Sequence, residues 1–536
     1  MGATEGLVGV GGRWHPDDVT DALADREADR GTDRGADRGA DTAIRPAPTD
    51  AARTTGLAEA LALVVPALDA HLTAPATGTA AGADAPWRAA LDTPVPRTGA
   101  GADGTLEVLA GTVIPDAMRM TSPGFWGWIT TGSTVVPAVA RLAATFTGTQ
   151  RYLGHTGNLL EEVALRWLAE VCELPADIQG VFSSSGSVAN LLALGAARQR
   201  AYERIGHDPA RDGLLGVPRG RIYGSVEMHH CMLKSAGVLG LGRTAVAMVP
   251  VDDRQQVDVA ALRRAVEADV AAGVLPIAVV AVAGTTNTGA IDDIAELADI
   301  AEQHGTWLHV DGAYGLFGRL DPRLADRYAG VERADSWVVD AHKWLTVPTG
   351  VGATFVRDRA LLGRAFTGEP SDYVEGAFDD VTETSSPWAA MGLPYHDWSL
   401  DLSAPARGMV VWAALHEIGV DGLRDRVVRH DDQARRVAEL VREHPSLELT
   451  SDAQLSICSF RYVAEGLDGP ALDALNRALV RRLHTETPYV PSPSLVEGKV
   501  VIRPCFINPR TADSDVEQMV AAVLRIGDDL VAGTVS

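Results

Sequence analysis

Basic residues are in short supply: 47 lysines and arginines face 71 acids, a formal charge of −24 over 536 residues. So acidic a chain is repelled by phosphate backbones and anionic lipid, which argues against nucleic-acid and membrane-surface partners. Cysteine is scarce too. Cys172, Cys231, Cys458 and Cys505 lie far apart with no Cys-x-x-Cys pair. Neither a disulfide framework nor a zinc site is expected, and a reduced, cytoplasmic setting is. No apolar run reaches the roughly 18–20 residues that span a bilayer. The first residues, Met1-Gly-Ala-Thr-Glu-Gly-Leu, lack the basic-then-apolar order of a secretory signal. Large apolar side chains are almost missing from 24–41, where Ala, Asp, Arg and Gly alternate. Such a segment cannot bury enough surface to offset its ordering entropy, so 1–55 is expected to be a disordered tail.

What is present is a long alternation of helical and strand patterns. Residues 56–131 begin with an amphipathic helical run from Leu57. From 132 to 400, apolar runs such as Ile277-Ala-Val-Val-Ala-Val-Ala alternate with helical periodicity. Continuous apolar strands between helices imply an α/β fold with a mostly parallel sheet covered on both faces. From 401 to 536 the order changes: helices over 408–418 and 424–443, then strands near 455–463 and 500–506 around a helix over 470–485. That describes a smaller C-terminal α+β domain.

Chemistry-bearing residues recur where strands should end, the usual place for ligands in parallel α/β sheets. Phe182-Ser-Ser-Ser-Gly-Ser187 opens a helix and offers backbone N–H groups and a positive dipole end to a phosphate. Read alone, it is an ordinary serine-rich capped turn before it is a phosphate site. Met228-His-His-Cys-Met-Leu-Lys-Ser-Ala-Gly places imidazoles at a helix start, where one can stack on a ring or cap the helix. A metal is not expected there, because adjacent histidines diverge on one turn. Gly284-Thr-Thr-Asn-Thr-Gly289 ends the strongest buried strand, with hydroxyls that contact a ligand or hold the turn. Trp307-Leu-His-Val-Asp311 ends an apolar run in an acid, and Ser336-Trp-Val-Val-Asp-Ala-His-Lys-Trp344 carries a lysine 32 positions later (343 − 311). A lysine able to form a Schiff base and a carboxylate able to pair with a pyridinium nitrogen are what pyridoxal phosphate chemistry needs. A structural ion pair between the two is the plainer alternative, and it leaves the serine loop and the histidines unexplained.

Together with Ser184-Ser-Gly-Ser-Val-Ala-Asn-Leu and His309-Val-Asp-Gly-Ala-Tyr, these motifs resemble the group II pyridoxal-phosphate-dependent amino acid decarboxylases. That family includes the glutamate, aromatic-amino-acid, histidine and diaminobutyrate decarboxylases. The resemblance implies a fold-type I PLP-dependent transferase architecture with pyridoxal 5'-phosphate as cofactor. It also implies a homodimer with active sites at the interface. Lys343 would be the Schiff-base lysine and Asp311 the pyridinium partner. His230, in register with the downstream Lys-Ser-Ala-Gly, would stack on the ring, with Ala313 on the other face. Gly186 and Ser187 would hold the phosphate, Thr286 would contact the cofactor, Asp340 would lie near the phosphate, and His342 would sit beside the lysine. The segment 122–131 would line the substrate pocket, with Thr131 near the substrate carboxylate. Tyr373 would be the mobile-loop proton donor. Three departures stand out: Ala341 where the family usually has proline, Val188 where an acid is common, and Ser403-Ala-Pro-Ala-Arg407 in place of Ser-Arg-Arg. The implied reaction is decarboxylation of an L-amino acid to its amine and CO2. The alternatives are an oxidative decarboxylase or aldehyde synthase, an aminotransferase or carbon–carbon lyase on the same fold, and a non-catalytic relative.

Overall fold

Apolar runs that end in polar residues become neighbouring strands with their C-terminal ends on one edge. The computed structural model describes residues 56–77, 85–147, 155–367, 393 and 395–535. The acidic tail over 1–55 and Tyr373 lie outside the described residues.

The large sheet contains β2 (Gln179–Ser183), β3 (Gly220–Ser225), β4 (Val246–Val249), β5 (Leu275–Val282), β6 (Trp307–Asp311), β7 (Ser336–Asp340) and β8 (Gly352–Val356), in the order β2-β8-β7-β6-β5-β3-β4. Pairing is parallel from β4 through β7, and β8 runs antiparallel to both its neighbours. Strand β2 therefore points the same way as β7. The ends of β2, β3, β5, β6 and β7 all deliver their loops to one rim. All five residues of β6 and of β7 are buried, as expected of a sheet covered on both faces.

Helix α4 (Gly186–Glu203) starts directly after the β2 loop. Its Ala189 and Ala193 pack with Ala313 and Val338, and these small side chains let the helix lie close against β6 and β7. Other helices follow the sequence expectation: α3 (His155–Val171), α5 (Cys231–Val238), α6 (Val259–Ala271) and α7 (Ile294–His304).

A second sheet has the order β1-β11-β12-β10-β9, built from β1 (Phe125–Trp126), β9 (Leu447–Gln454), β10 (Ile457–Tyr462), β11 (Val490–Val496) and β12 (Lys499–Arg503). Strand β1 pairs in parallel with β11, so a stretch far upstream is built into the C-terminal layer. Trp126 is fully buried there, stacks on Tyr489 at 5.2 Å, and donates its indole N–H to Thr511 Oγ1 at 2.9 Å. The boundary expected at 131/132 is thus crossed by strand pairing. The one expected at 400/401 is crossed by α8 (Gly408–Glu443). Val410 to Val427 of α8 join the large core, and Ala434 to Val441 join the C-terminal core. Gly419 breaks α8 with φ 65° and ψ 178°, at the gap between the two helices that the sequence suggests. Helices α9 (Gly469–Glu486) and α10 (Asp513–Val535) cover the second sheet.

Candidate active site

Loops from the shared rim enclose a cleft of about 210 Å3. Its walls include Gly186 and Ser187 after β2, His229 after β3, Thr286 after β5, Asp311 and Ala313 at the end of β6, and Asp340, His342 and Lys343 at the end of β7. A larger groove of about 670 Å3, bordered by Arg323 and Glu517, contains none of the residues singled out by the sequence.

Lys343 is one of three lysines in the chain, with Lys234 and Lys499. Of these it alone borders the cleft; Lys234 is exposed and Lys499 is bonded to Glu448. Lys343 Nζ lies 3.3 Å from Asp340 Oδ2, and His342 Nε2 lies 3.8 Å from the same oxygen. The second oxygen, Asp340 Oδ1, is buried without a hydrogen-bond partner. The backbone beyond the lysine is tightly held. Thr346 adopts φ 58°, an unfavourable conformation for a β-branched residue. Its N–H donates to Lys343 O at 3.2 Å, and its Oγ1 accepts from Arg426 at 3.0 Å. Trp344 stacks on Tyr314 at 5.0 Å and donates its indole N–H to His430 Nδ1 at 2.9 Å.

Asp311 is buried, and its Oδ1 accepts from Ala313 N at 3.2 Å. A carboxylate at such a position requires a further donor or cation, which a protonated ring nitrogen provides. At the other end of the cleft, Gly186 and Ser187 are the first two residues of α4, so their N–H groups have no partner within the helix. The N-cap Ser185 accepts from Val188 N at 3.3 Å. A Cβ on Gly186 would collide with the Asp340 carboxylate, so only glycine lets the loop press against β7. Helix-start donors, a carboxylate with an open side and a lysine amine match the phosphate, ring nitrogen and aldehyde of pyridoxal phosphate.

Two of the expected site residues, His230 and Thr131, do not border the cleft. His229, not His230, borders the cleft. His230, the histidine expected from its register with Lys-Ser-Ala-Gly, is the exposed N-cap of α5. His229 Nδ1 accepts from Cys231 N at 3.3 Å, and burial pushes the imidazole below its usual pKa. A neutral, anchored ring suits face-to-face packing. Thr131 is buried, is not among the cleft-lining residues, and gives its hydroxyl to Met120 O at 3.3 Å. None of residues 122–131 borders the cleft within this chain. In the 284–289 turn the two readings divide between neighbours. Thr285 and Thr288 bond each other at 2.9 Å and hold the turn, while Thr286 faces the cleft.

Glu227, Asn190 and Tyr314 also border the cleft; the sequence motifs contain Asn190 and Tyr314 but assign them no role. Glu227 sits two residues past β3, a placement the strand-end rule already marks. Burial raises its pKa, and Asn287 donates to its Oε2 at 3.0 Å. No group of three or more His, Cys, Asp or Glu able to hold a metal occurs among the described residues.

Comparison with known proteins matches residues 155–463, more than half of the chain, to the family model described as "Pyridoxal-dependent decarboxylase conserved domain". The chain belongs to the pyridoxal-dependent decarboxylase family. It is 28% identical to an aromatic-L-amino-acid decarboxylase of Bacillus atrophaeus, over 81% of this chain and 88% of that one. It is 30% identical to an L-2,4-diaminobutyrate decarboxylase of Rhizobium meliloti (strain 1021), over 68% and 69% respectively. The solved structure of Oryza sativa TDC with PLP and tryptamine superposes with a TM-score of 0.79 at 23% identity, covering 91% of this chain and 99% of that one. This decarboxylase is a carboxy-lyase of fold type I. It uses pyridoxal phosphate to convert an L-amino acid to its amine and CO2.

Proposed function

We propose that Lys343 carries the cofactor and that the reaction takes place in the cleft between α4, β6 and β7. The observation behind this reading is that the Lys343 amine, the Asp311 carboxylate and the α4 N-terminus border a single cleft. When bound, pyridoxal phosphate supplies a conjugated acceptor for the electron pair left on the α-carbon as CO2 departs. Lys343 Nζ would be the amine that holds the cofactor aldehyde, and Asp340 Oδ2, 3.3 Å away, would keep that amine in place when it is free. Asp311 holds a proton on the ring nitrogen, so the acceptor stays electron-poor. His229 would cover one face of the ring and exclude water there, and Ala313, small enough for close approach, would cover the other. Gly186 and Ser187 would hold the phosphate and Thr286 would bound the ring edge, while His342 anchors the lysine loop through its Nδ1 contact with Val351 O at 3.0 Å. Tyr373 remains the proposed donor of the proton that replaces CO2.

The substrate class to test first is suggested by the relatives: aromatic amino acids and 2,4-diaminobutyrate. A panel of the standard L-amino acids plus diaminobutyrate, scored together for CO2, amine and H2O2, decides the reaction. Amine equal to CO2 with no H2O2 is expected. H2O2 formed in step with CO2 would identify an oxidative enzyme instead, and no product from any substrate would favour the non-catalytic alternative.

We also propose that the enzyme works as a cytoplasmic homodimer. On α2 (Val135–Thr147), Val135, Val139 and Phe146 are 57%, 58% and 65% exposed, an apolar surface that a second copy would cover. Four buried free cysteines suit a reducing compartment, and no described helix is long and apolar enough to cross a membrane.

A further inference from the structure

Beneath the cleft runs a line of buried polar groups that the reaction itself does not use. The Trp307 indole N–H donates to Ser336 Oγ at 2.7 Å. Ser336 Oγ meets His309 Nδ1 at 2.8 Å, and His309 Nε2 meets Asn190 Oδ1 at 2.7 Å. Asn190 Nδ2 donates to Gly186 O at 2.9 Å. Trp307, His309, Ser336 and Asn190 are each at most 2% exposed. Nothing in the sequence pattern distinguishes His309 from a core residue of β6.

The direction of every bond follows from its neighbours. A backbone carbonyl only accepts, so the Asn190 amide must point its NH2 at Gly186 and its oxygen at His309. His309 Nε2 then carries the hydrogen. Burial pushes His309 down to a pKa of about 4, so the ring is neutral and Nδ1 is the acceptor. The Ser336 hydroxyl donates to Nδ1 while accepting from Trp307. Each group is satisfied in one arrangement only, and such a chain resists deformation.

Its two ends explain its use. One end terminates on Gly186, the first residue of α4. The middle, His309, lies two residues before Asp311 and on the same face of β6. The chain therefore ties the helix start to the strand that carries the ring-nitrogen partner. We propose that His309 is a positioning residue: acting through Asn190, it locks the first turn of α4 at a fixed distance from Asp311. The phosphate and the ring nitrogen of the cofactor are thereby held in one rigid frame. This proposal rests on the reading that Gly186 and Ser187 grip the phosphate.

The test compares two aldehydes that differ only in the phosphate. Cofactor-free protein is titrated with pyridoxal phosphate and with pyridoxal, each followed by the absorption band of the lysine-bound form. His309→Leu removes both bonds of the imidazole, and His309→Gln keeps a donor near the Nε2 position. The expected result is that His309→Leu weakens pyridoxal phosphate by about tenfold or more, the size of a lost buried hydrogen bond. Pyridoxal affinity should change less than about twofold, and His309→Gln should recover most of the loss. Should His309→Leu fail to fold, Ser336→Ala leaves the imidazole in place but removes its Nδ1 donor, and the same ratio is read. Equal weakening of both aldehydes, or of neither, would overturn the positioning role if Ser187→Pro still shows a phosphate-specific loss. If Ser187→Pro, which removes both the hydroxyl and the backbone N–H in the first helical turn, also leaves the ratio unchanged, the phosphate-grip reading fails and the proposal falls with it.

Discussion

His229 and His230 touch, with ring centroids 4.2 Å apart, yet only His229 faces the cleft. Replacing His229 with alanine should lower kcat/KM on the order of a hundredfold, a size usual for losing one well-placed active-site group. His230→Ala should stay within about threefold, because exposed positions rarely carry such effects. Steady-state kinetics on the two variants check this; the reverse order would restore His230 to the ring face. His309 carries a pH signature as well. Its pKa falls from the ordinary 6.5 to about 4 on folding, so the unfolded chain binds the extra proton between those values. Stability from this group is complete above about pH 6.5 and drains as pH falls toward 4, by on the order of 3 kcal/mol. Urea unfolding of wild type and His309→Gln at pH 7 and pH 4.5 isolates the contribution. The wild-type midpoint should fall more steeply than the variant's, whereas parallel curves would contradict it. The place of Lys343 and Asp311 at the cleft was legible because an apolar strand ending in a charge is a rare pattern with few explanations. The histidine register was not, since two adjacent imidazoles at a helix start are equivalent in sequence and separate only by the direction each side chain takes.

At the level of elements, the parallel strands were readable because each is a continuous apolar run, fixed by burial on both faces. Strand β1 was not. Two residues leave no periodicity, and Trp126 belongs to the C-terminal core through a parallel pairing with β11 that lies 365 positions away (490 − 125). Antiparallel β8 also gave no signal, because a buried antiparallel strand and a buried parallel one have the same composition. The break in α8 was visible as a gap, and Gly419 explains it. A side chain at φ 65° and ψ 178° is strained, so Gly419→Ala should destabilise the protein by about 1–3 kcal/mol. The pyridoxal phosphate affinity should be unchanged, since no cleft residue lies on α8. Thermal unfolding and cofactor titration of the one variant test both halves, and a weakened affinity would show that the kink reaches the cleft.

For the whole molecule, the strong acidity argues against polyanionic partners as an expectation but says nothing of the cleft, whose chemistry depends on a few local groups. Assembly was the least legible level: an apolar stripe such as Val135, Val139 and Phe146 reads in sequence as one more core-facing helix. Sedimentation at micromolar concentration should give a dimer, and Val139→Asp should shift it toward monomer; a wild-type monomer would refute the proposed assembly. The central claim, that this decarboxylase holds its cofactor on Lys343, can be tested by a single measurement. Borohydride reduction of the pyridoxal phosphate-loaded protein, followed by peptide mass mapping, reads the attachment site directly, and only three lysines compete for it. The cofactor mass should appear on the peptide containing Lys343 and vanish in Lys343→Ala. A label on Lys234 or Lys499, or no label at all, would contradict the account.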